Sequence, residues 1–215
     1  NSPEERAMIH AVSGNHDVPG VVVGIGSDVP QQSAGRRGSA RSYNIRGPFA
    51  VYVGRIDQNK GCNELFEFFQ GYLKDPAGKL SLVLIGNSLL PIPEHPRIRH
   101  LGFLDDADKF DAMAAADLLI MPSYFESLSM VALEAWALGR PVLANGKCDV
   151  LKGQCIRSNA GLYYETLRRV RRDARGDRAE PLAARGRSAA TAGSSSATTT
   201  TGRSSSGSTS TCSSG

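Results

Sequence analysis

Short runs of consecutive apolar residues alternate with longer amphipathic segments through the middle of the chain, from Pro48 onward. Each short run has the length of a strand that is buried on both faces, and each amphipathic segment has the length of a helix. Strands that are separated by helices in this way form parallel βαβ units. The pattern therefore predicts an α/β fold in which helices flank a parallel sheet.

The predicted elements follow one another between residues 49 and 144. Strands are expected over residues 49–53, 80–85, 98–101, 117–121 and 141–144, and helices over residues 61–73, 105–115 and 127–138. Ligands of parallel sheets bind beyond the carboxyl ends of the strands. Because Gly54-Arg55 and the segment 123–127 each follow a strand, we expect these two turns to converge on one crevice.

The residues ahead of this α/β segment have a different character. A helix is predicted over residues 3–12, a strand over residues 21–23 and a glycine-rich turn over residues 24–28. A polar segment with a small basic cluster follows and ends at residue 47. It is expected to be a linker whose basic residues are solvated rather than a binding patch.

The composition changes again after Glu165. Residues 166–182 are rich in arginine, and residues 183–215 contain no aliphatic residue larger than alanine, no methionine and no aromatic residue. Such a segment cannot bury enough apolar area to offset the entropy lost on ordering. One interpretation is a disordered Ser/Thr-rich tail. The interpretation that we favour is a reading-frame shift just after Glu165, which sequencing of the gene would test.

The net charge of +4 does not indicate a nucleic-acid partner. Nine of the 25 lysine and arginine residues, but only three of the 21 acidic residues, lie in residues 166–215. The remainder of the chain therefore carries 16 basic and 18 acidic residues, a net charge of −2. Because this part is nearly neutral, the basic pI of the chain is no argument for nucleic-acid binding.

The cysteines and the apolar runs indicate in which cellular compartment the protein is expected. The four cysteines lack C-x-x-C spacing, so free or buried thiols in a reducing compartment are expected rather than disulfides or a zinc site. No run of about 18 apolar residues predicts a transmembrane helix, and the first residues do not resemble a signal peptide. We therefore expect a cytoplasmic protein.

The segment from Ser123 to Val142 combines a polar turn, a helix and a short strand. Glu126 lies in the turn, and Glu134 lies eight residues further on, within the helix. A helix N-terminus presents unpaired backbone N–H groups and a partial positive charge, which suit a phosphate group. Carboxylates beside such a site can accept hydrogen bonds from sugar hydroxyls. The segment therefore indicates recognition of a nucleotide-activated sugar.

A second candidate motif follows the first predicted strand. The segment 49–61 runs from an apolar strand into Gly54-Arg55, and Lys60-Gly61 comes five residues later. A guanidinium and an ammonium that face a diphosphate stabilise the negative charge that grows as a glycosidic bond breaks. The alternative is two exposed basic residues on an ordinary turn.

Together these motifs resemble the retaining glycosyltransferases of the two-domain GT-B architecture, in particular the large family 4. Residues 126–134 match the paired-glutamate segment E-x7-E of that family, and residues 82–86 and 98–104 are also similar to it. The resemblance extends over roughly residues 15–165. It implies that residues 48–165 form a Rossmann-like nucleotide-sugar-binding domain, the C-terminal domain of a GT-B enzyme.

The resemblance also implies a domain organisation for the remainder. Residues 1–30 are similar to the end of an N-terminal GT-B domain, and residues 31–47 would link it to the donor-binding domain. A complete GT-B enzyme has two such domains and needs roughly 350 residues or more. The chain is therefore expected to be a fragment with an aberrant tail and with little or no transferase activity by itself.

The family's catalytic contacts are carried over to three residues. Arg55 and Lys60 would clasp the donor diphosphate within the turn that begins at Gly54, and Glu126 would contact the donor sugar ring near its 3- and 4-hydroxyls. The family works without an essential metal or cofactor, so the resemblance implies none here.

Further contacts with the donor are implied around this set. Glu134 would accept hydrogen bonds from both ribose hydroxyls. Ser127, Leu128 and Ser129 would offer backbone N–H groups to the distal phosphate. Phe103 is expected either to pack on the nucleobase or to lie in the core. Asn87 is expected to approach the same pocket.

The implied partners are a nucleoside-diphosphate sugar and an acceptor that the sequence does not identify. Membrane association through the missing N-terminal domain is a further expectation, at the inner face of the membrane. Two alternatives to a transferase stay open. One is a sugar-nucleotide-binding module without chemistry, and the other is a GT-B relative such as a sugar-nucleotide epimerase, which would need an acid/base set besides Glu126.

Overall fold

A computed structural model of the chain describes residues 2–14, 16–29, 45 and 47–165. Residues 31–44 and 46 of the predicted linker (residues 31–47) and the predicted disordered or frame-shifted tail over residues 166–215 lie outside the described residues. Within the described ranges, no helix is both long enough and apolar enough to cross a membrane.

Six parallel strands form a single sheet in the order β3-β2-β1-β4-β5-β6. The strands are β1 (Phe49–Val53), β2 (Ser81–Ile85), β3 (Ile98–His100), β4 (Leu118–Met121), β5 (Val142–Asn145) and β6 (Gly161–Tyr164). All residues of β1, β2, β4 and β5 are buried. Continuous apolar runs of this kind are expected where helices cover both faces of a sheet.

The helices of the described residues are α1 (Pro3–Ser13), α2 (Cys62–Leu73), α3 (Asp106–Ala115), α4 (Met130–Ala137) and α5 (Asp149–Ser158). Alternate strand residues point to opposite sides of the sheet. One side packs against α2, and the other packs against α3, α4 and α5. The sequence prediction of a Rossmann-like α/β domain is therefore confirmed.

Two predictions of individual elements were wrong, and two elements were not predicted. Residues 21–23 do not form a strand, because no neighbouring strand in the described ranges pairs with their backbone and Val21 and Val23 are exposed. The helix predicted from residue 127 begins at Met130, because Ser129 has an extended backbone and caps the helix. Both α5 and β6 were missed, since α5 has the glycine Gly153 in its middle, and β6 begins with a glycine and is buried only at alternate residues.

The predicted N-terminal helix is present as α1. Ser2 caps it by accepting a hydrogen bond from the Glu5 N–H, and Gly14 ends it in a left-handed conformation. α1 packs against α5, where Glu4 forms an ion pair with Arg157.

Two glycines allow the backbone to pack tightly at the carboxyl edge of the sheet. A Cβ at Gly61 (φ +72°) would lie 2.9 Å from the carbonyl carbon of Pro122 and still closer to its oxygen. A Cβ at Gly86 (φ +127°) would lie 2.8 Å from the carbonyl carbon of Gly54. The turns that follow β1, β2 and β4 are therefore in direct backbone contact.

We predict that Gly61→Ala destabilises the domain by about 2–4 kcal/mol, because the methyl group overlaps the Pro122 carbonyl in addition to the cost of a left-handed alanine. Gly102→Ala is the matched control, since Gly102 also has a positive φ (+71°) but no atom within 4 Å of its Cβ position. That control is expected to cost only about 1–2 kcal/mol. Urea unfolding measures both, and equal losses would contradict the packing argument.

Candidate functional site

The carboxyl ends of β1 and β4 mark the topological switch point of the sheet. The chain proceeds from β1 to β2 on one side of β1, whereas β4 lies on its other side and leads to β5. In doubly wound sheets the loops that follow these two strands diverge and leave a ligand crevice between them. Here those loops are residues 54–61 and 122–129, which contain the two motifs singled out in the sequence.

The two loops meet through an ion pair between Lys60 and Glu126, whose Nζ and Oε1 atoms are 2.8 Å apart. The predicted convergence of the two turns is therefore confirmed. Gly61 contacts the backbone of Pro122 directly behind this pair, so the distance between the loops is set by the backbone as well as by the charges.

The loop after β1 is organised around Asp57, a residue that the sequence analysis did not single out. Its side chain is only 8% exposed, and its Oδ1 accepts a hydrogen bond of 2.8 Å from the Lys60 N–H. Its Oδ2 accepts a hydrogen bond from Arg55 Nε. One buried carboxylate thus holds both basic residues of the loop, while the Arg55 side chain remains 60% exposed.

These contacts change the ionisation of Asp57. Burial by itself would raise the pKa of this carboxyl, but the hydrogen bonds from Arg55 and from the backbone N–H groups of Lys60 and Asn59 outweigh it. The pKa of Asp57 is consequently lower than the usual value for an aspartate. The loop is therefore most stable with Asp57 ionised.

The start of α4 differs from the phosphate site expected from the sequence. Ser129 is buried, its Oγ accepts a hydrogen bond from the Ala132 N–H, and its own N–H donates to Gln154 Oε1 at 3.2 Å. Gln154 of α5 therefore occupies the Ser129 N–H in the unbound domain, and the binding of a phosphate by this N–H stays a prediction. Ser127 and Leu128 precede the helix, with Ser127 exposed and Leu128 half-buried.

Glu134 lies in the second turn of α4 and is 9% exposed. Its Oε1 is 3.4 Å from Lys109 Nζ. Its Oε2 is buried and has no hydrogen-bond partner among the described residues. Lys109 was not predicted as a site residue, because a lysine among the charged residues of a helix gives no signal of its own.

Two other predicted residues lie on the loops that follow the remaining strands. Phe103 follows β3 and is 76% exposed, which excludes the expectation that it belongs to the core. Asn87 follows β2 and is also exposed. The Asn87 carbonyl accepts a hydrogen bond of 2.9 Å from the Ile56 N–H, which holds it beside the loop of Arg55.

A polar cluster that the sequence did not reveal includes Tyr124, which lies two residues before Glu126. The Tyr124 hydroxyl donates to Glu64 Oε2, and Lys147 Nζ lies 3.9 Å from Glu64 Oε1. The hydrogen bond to Glu64 is the main reason that the pKa of Tyr124 is raised to about 12. Tyr124 therefore remains a neutral hydroxyl near neutral pH.

The cysteines in the described ranges are free and buried, at positions 62, 148 and 155. Burial raises the pKa of each thiol, to about 12 for Cys155. No group of three or more metal-ligating side chains is present in the part of the chain that the structure describes.

We predict that in Asp57→Asn the free energy of unfolding depends less on pH in the acid range than it does in wild type. A carboxyl with a lowered pKa stabilises the folded state fully above its unfolded pKa of about 4, and this contribution disappears as the pH falls through the lowered value. The stability difference between wild type and Asp57→Asn should therefore be constant from about pH 5 to 8 and should shrink below about pH 4. Thermal or urea unfolding across this range measures it.

Asp149→Asn is the matched control for that experiment, because it removes an exposed carboxyl in the first turn of α5, outside the loop. A difference between wild type and Asp57→Asn that stays unchanged down to pH 3 would contradict the assigned role of Asp57.

Comparison with known proteins shows the family and the fold of the chain. The family model described as glycosyl transferases group 1 matches residues 47–164. The D-inositol 3-phosphate glycosyltransferases of Corynebacterium glutamicum (strain R) and Corynebacterium efficiens are 31% and 30% identical to the chain over 143 and 165 residues. These matches include 57% and 67% of this chain but 34% and 39% of the relatives. The chain thus spans little more than a third of their length.

Solved structures share the fold. The glycosyltransferase WaaG superposes with a TM-score of 0.61 at 21% identity, over 76% of this chain and 48% of WaaG. The C-terminal domain of LpcC, a glycosyl transferase group 1 family protein from Francisella tularensis, gives 0.59 at 18% identity, over 75% of this chain and 92% of that domain. The Anabaena protein HepE, solved with UDP, gives 0.59 at 17% identity, over 73% of this chain and 48% of HepE. By its family match and its fold, the chain belongs to the glycosyl transferases group 1.

Proposed function

We propose that this domain binds the donor of a retaining, metal-independent glycosyltransferase that moves a sugar from a nucleoside diphosphate to an acceptor. The observation that carries the proposal is the pairing of Lys60 with Glu126 across the switch point, beside an Arg55 that Asp57 holds in place. Two fixed cations at the position where a doubly wound sheet binds its ligand suit a diphosphate.

Arg55 and Lys60 would act on the leaving group. When the bond between the sugar and the diphosphate breaks, negative charge accumulates on the phosphate oxygen that leaves. Cations that are already in place stabilise this charge without reorganising. In a retaining transfer, the acceptor hydroxyl attacks the face of the sugar from which the diphosphate departs, so the two cations would also keep the leaving group beside the acceptor.

Glu126 would exchange partners when the donor enters. In the unbound domain it neutralises Lys60 at 2.8 Å. A bound diphosphate would take over the Lys60 ammonium, and the carboxylate would then be available to accept hydrogen bonds from hydroxyls of the donor sugar. The ion pair thus keeps both groups in position until a ligand that carries phosphates and hydroxyls replaces it.

The remaining contacts are proposed around this centre. Glu134 would accept from the ribose hydroxyls, and Ser127 and Leu128 would offer their backbone N–H groups to the distal phosphate. Phe103 and Asn87 stand exposed beyond β3 and β2, where they would meet the nucleobase. The Anabaena protein HepE has been solved with UDP and with UDP-glucose, which supports a sugar nucleotide as the class of donor.

We predict that the chain binds at least one of UDP, GDP and ADP, and that Arg55→Ala and Lys60→Ala each weaken this binding about 10- to 100-fold. A charge-assisted contact with a phosphate contributes about 1.5–3 kcal/mol, which corresponds to that range. Binding of the parent nucleoside should change less than threefold, about the spread expected from indirect effects. Isothermal titration calorimetry measures each affinity.

Lys79→Ala is the control for loss of positive charge, because Lys79 is exposed just before β2, at the amino edge of the sheet. It should leave the affinity unchanged. Equal losses in Lys60→Ala and Lys79→Ala, or binding by none of the three nucleotides, would contradict the proposal. Binding without sugar transfer by a full-length relative that carries the same loops would favour a module without chemistry.

A further inference from the structure

Glu134 is a buried carboxylate that is only half satisfied by the described residues. Its Oε1 faces Lys109 Nζ at 3.4 Å, while its Oε2 is buried without a partner. Buried polar atoms in native proteins nearly always have partners, so an unpaired carboxylate oxygen calls for an explanation. A hydroxyl donor from a ligand would supply the missing hydrogen bond.

The ammonium that holds Oε1 is itself held in place. Lys109 lies in the first half of α3, and its side chain is only 18% exposed. Its Nζ is 3.0 Å from Asp106 Oδ1 and 4.2 Å from the centre of the Phe110 ring. An exposed lysine samples many rotamers, whereas these contacts favour a position of the Lys109 ammonium between α3 and α4.

We propose that Lys109 is a positioning residue that gives the domain its preference for ribose over 2′-deoxyribose. The inference rests on the proposed function, in which Glu134 accepts hydrogen bonds from the ribose. By holding Oε1, Lys109 would limit rotation of the carboxylate, so that Oε2 is the atom left to accept a hydrogen bond from the ribose. The bound hydroxyls then complete the hydrogen bonding of Glu134.

This arrangement explains why the sugar of the nucleotide would matter. A site built to bind a hydroxyl rejects the analogue that lacks it, because a buried polar group is then left unpaired. The rejection requires that the carboxylate cannot turn toward water. Without Lys109, Glu134 would be a buried charge with no counter-ion, and it would reorient toward solvent. The preference for ribose would then decrease, while Arg55 and Lys60 would still bind the diphosphate.

The test compares each of UDP, GDP and ADP with its 2′-deoxy counterpart by isothermal titration calorimetry on the full chain. Wild type should prefer the ribose form of the nucleotide that it binds by at least about tenfold. In Lys109→Met the ribose-to-deoxyribose affinity ratio should fall to a value between about 1 and 3. The affinity for inorganic pyrophosphate should stay unchanged. Lys109→Arg should restore most of the ratio, because it keeps the cation beside Glu134.

Two further variants sharpen the comparison. Glu134→Gln should lower the ratio as Lys109→Met does, and the double variant should lower it no further, because both changes remove the same interaction. Lys79→Met, at the amino edge of the sheet, is the matched control and should keep the wild-type ratio. If thermal unfolding shows that Lys109→Met is not folded, Lys109→Gln is measured in its place, because glutamine retains a polar donor.

The outcomes separate this inference from the function on which it rests. Failure of wild type to bind any of the three nucleotides would overturn the donor-binding proposal. Wild type that binds a nucleotide without preferring ribose, or folded Lys109 variants that keep the full preference, would overturn the role of Lys109 alone. A preference that disappears in Lys109→Met and returns in Lys109→Arg would establish it.

Discussion

The contact between the loops that follow β1 and β4 is the constraint on which the site depends. Gly61 lets the first loop approach the Pro122 carbonyl, and the Lys60–Glu126 ion pair joins the loops on the ligand side. A side chain at residue 61 would separate the loops and with them the charges that face the crevice. The backbone contact between the loops thus fixes the distance between Lys60 and Glu126 before any ligand is present.

Three carboxylates position the charged side chains of the proposed site, each by forming an ion pair with one cation. Asp57 binds Arg55, Glu126 binds Lys60, and Glu134 binds Lys109. The pairs differ in exposure: the Arg55 side chain remains accessible, whereas Glu134 and Lys109 are largely buried between helices. In the proposed function, the accessible cations would bind the phosphates, which are charged and well hydrated. The buried pair would bind the hydroxyls of the ribose, which need a fixed acceptor more than a charge.

The sequence predicted the α/β fold and the meeting of the two motif-bearing loops, because short buried strands and amphipathic helices leave strong local patterns. It did not predict α5 and β6, whose local signals are weak, or the contacts that depend on residues far apart in the chain. The bond between Gln154 and Ser129 joins α5 to the start of α4, and the pair of Lys109 and Glu134 joins α3 to α4. In neither pair does the local sequence around one residue indicate its contact with the other.

The most direct test of the account is a crystal structure of the chain with a bound nucleoside diphosphate. The account predicts that phosphate oxygens lie within hydrogen-bond distance of both Arg55 and Lys60, between the loops that follow β1 and β4, with the Lys60–Glu126 pair opened. A diphosphate bound elsewhere on the domain, or an ion pair that stays closed beneath a bound ligand, would contradict it.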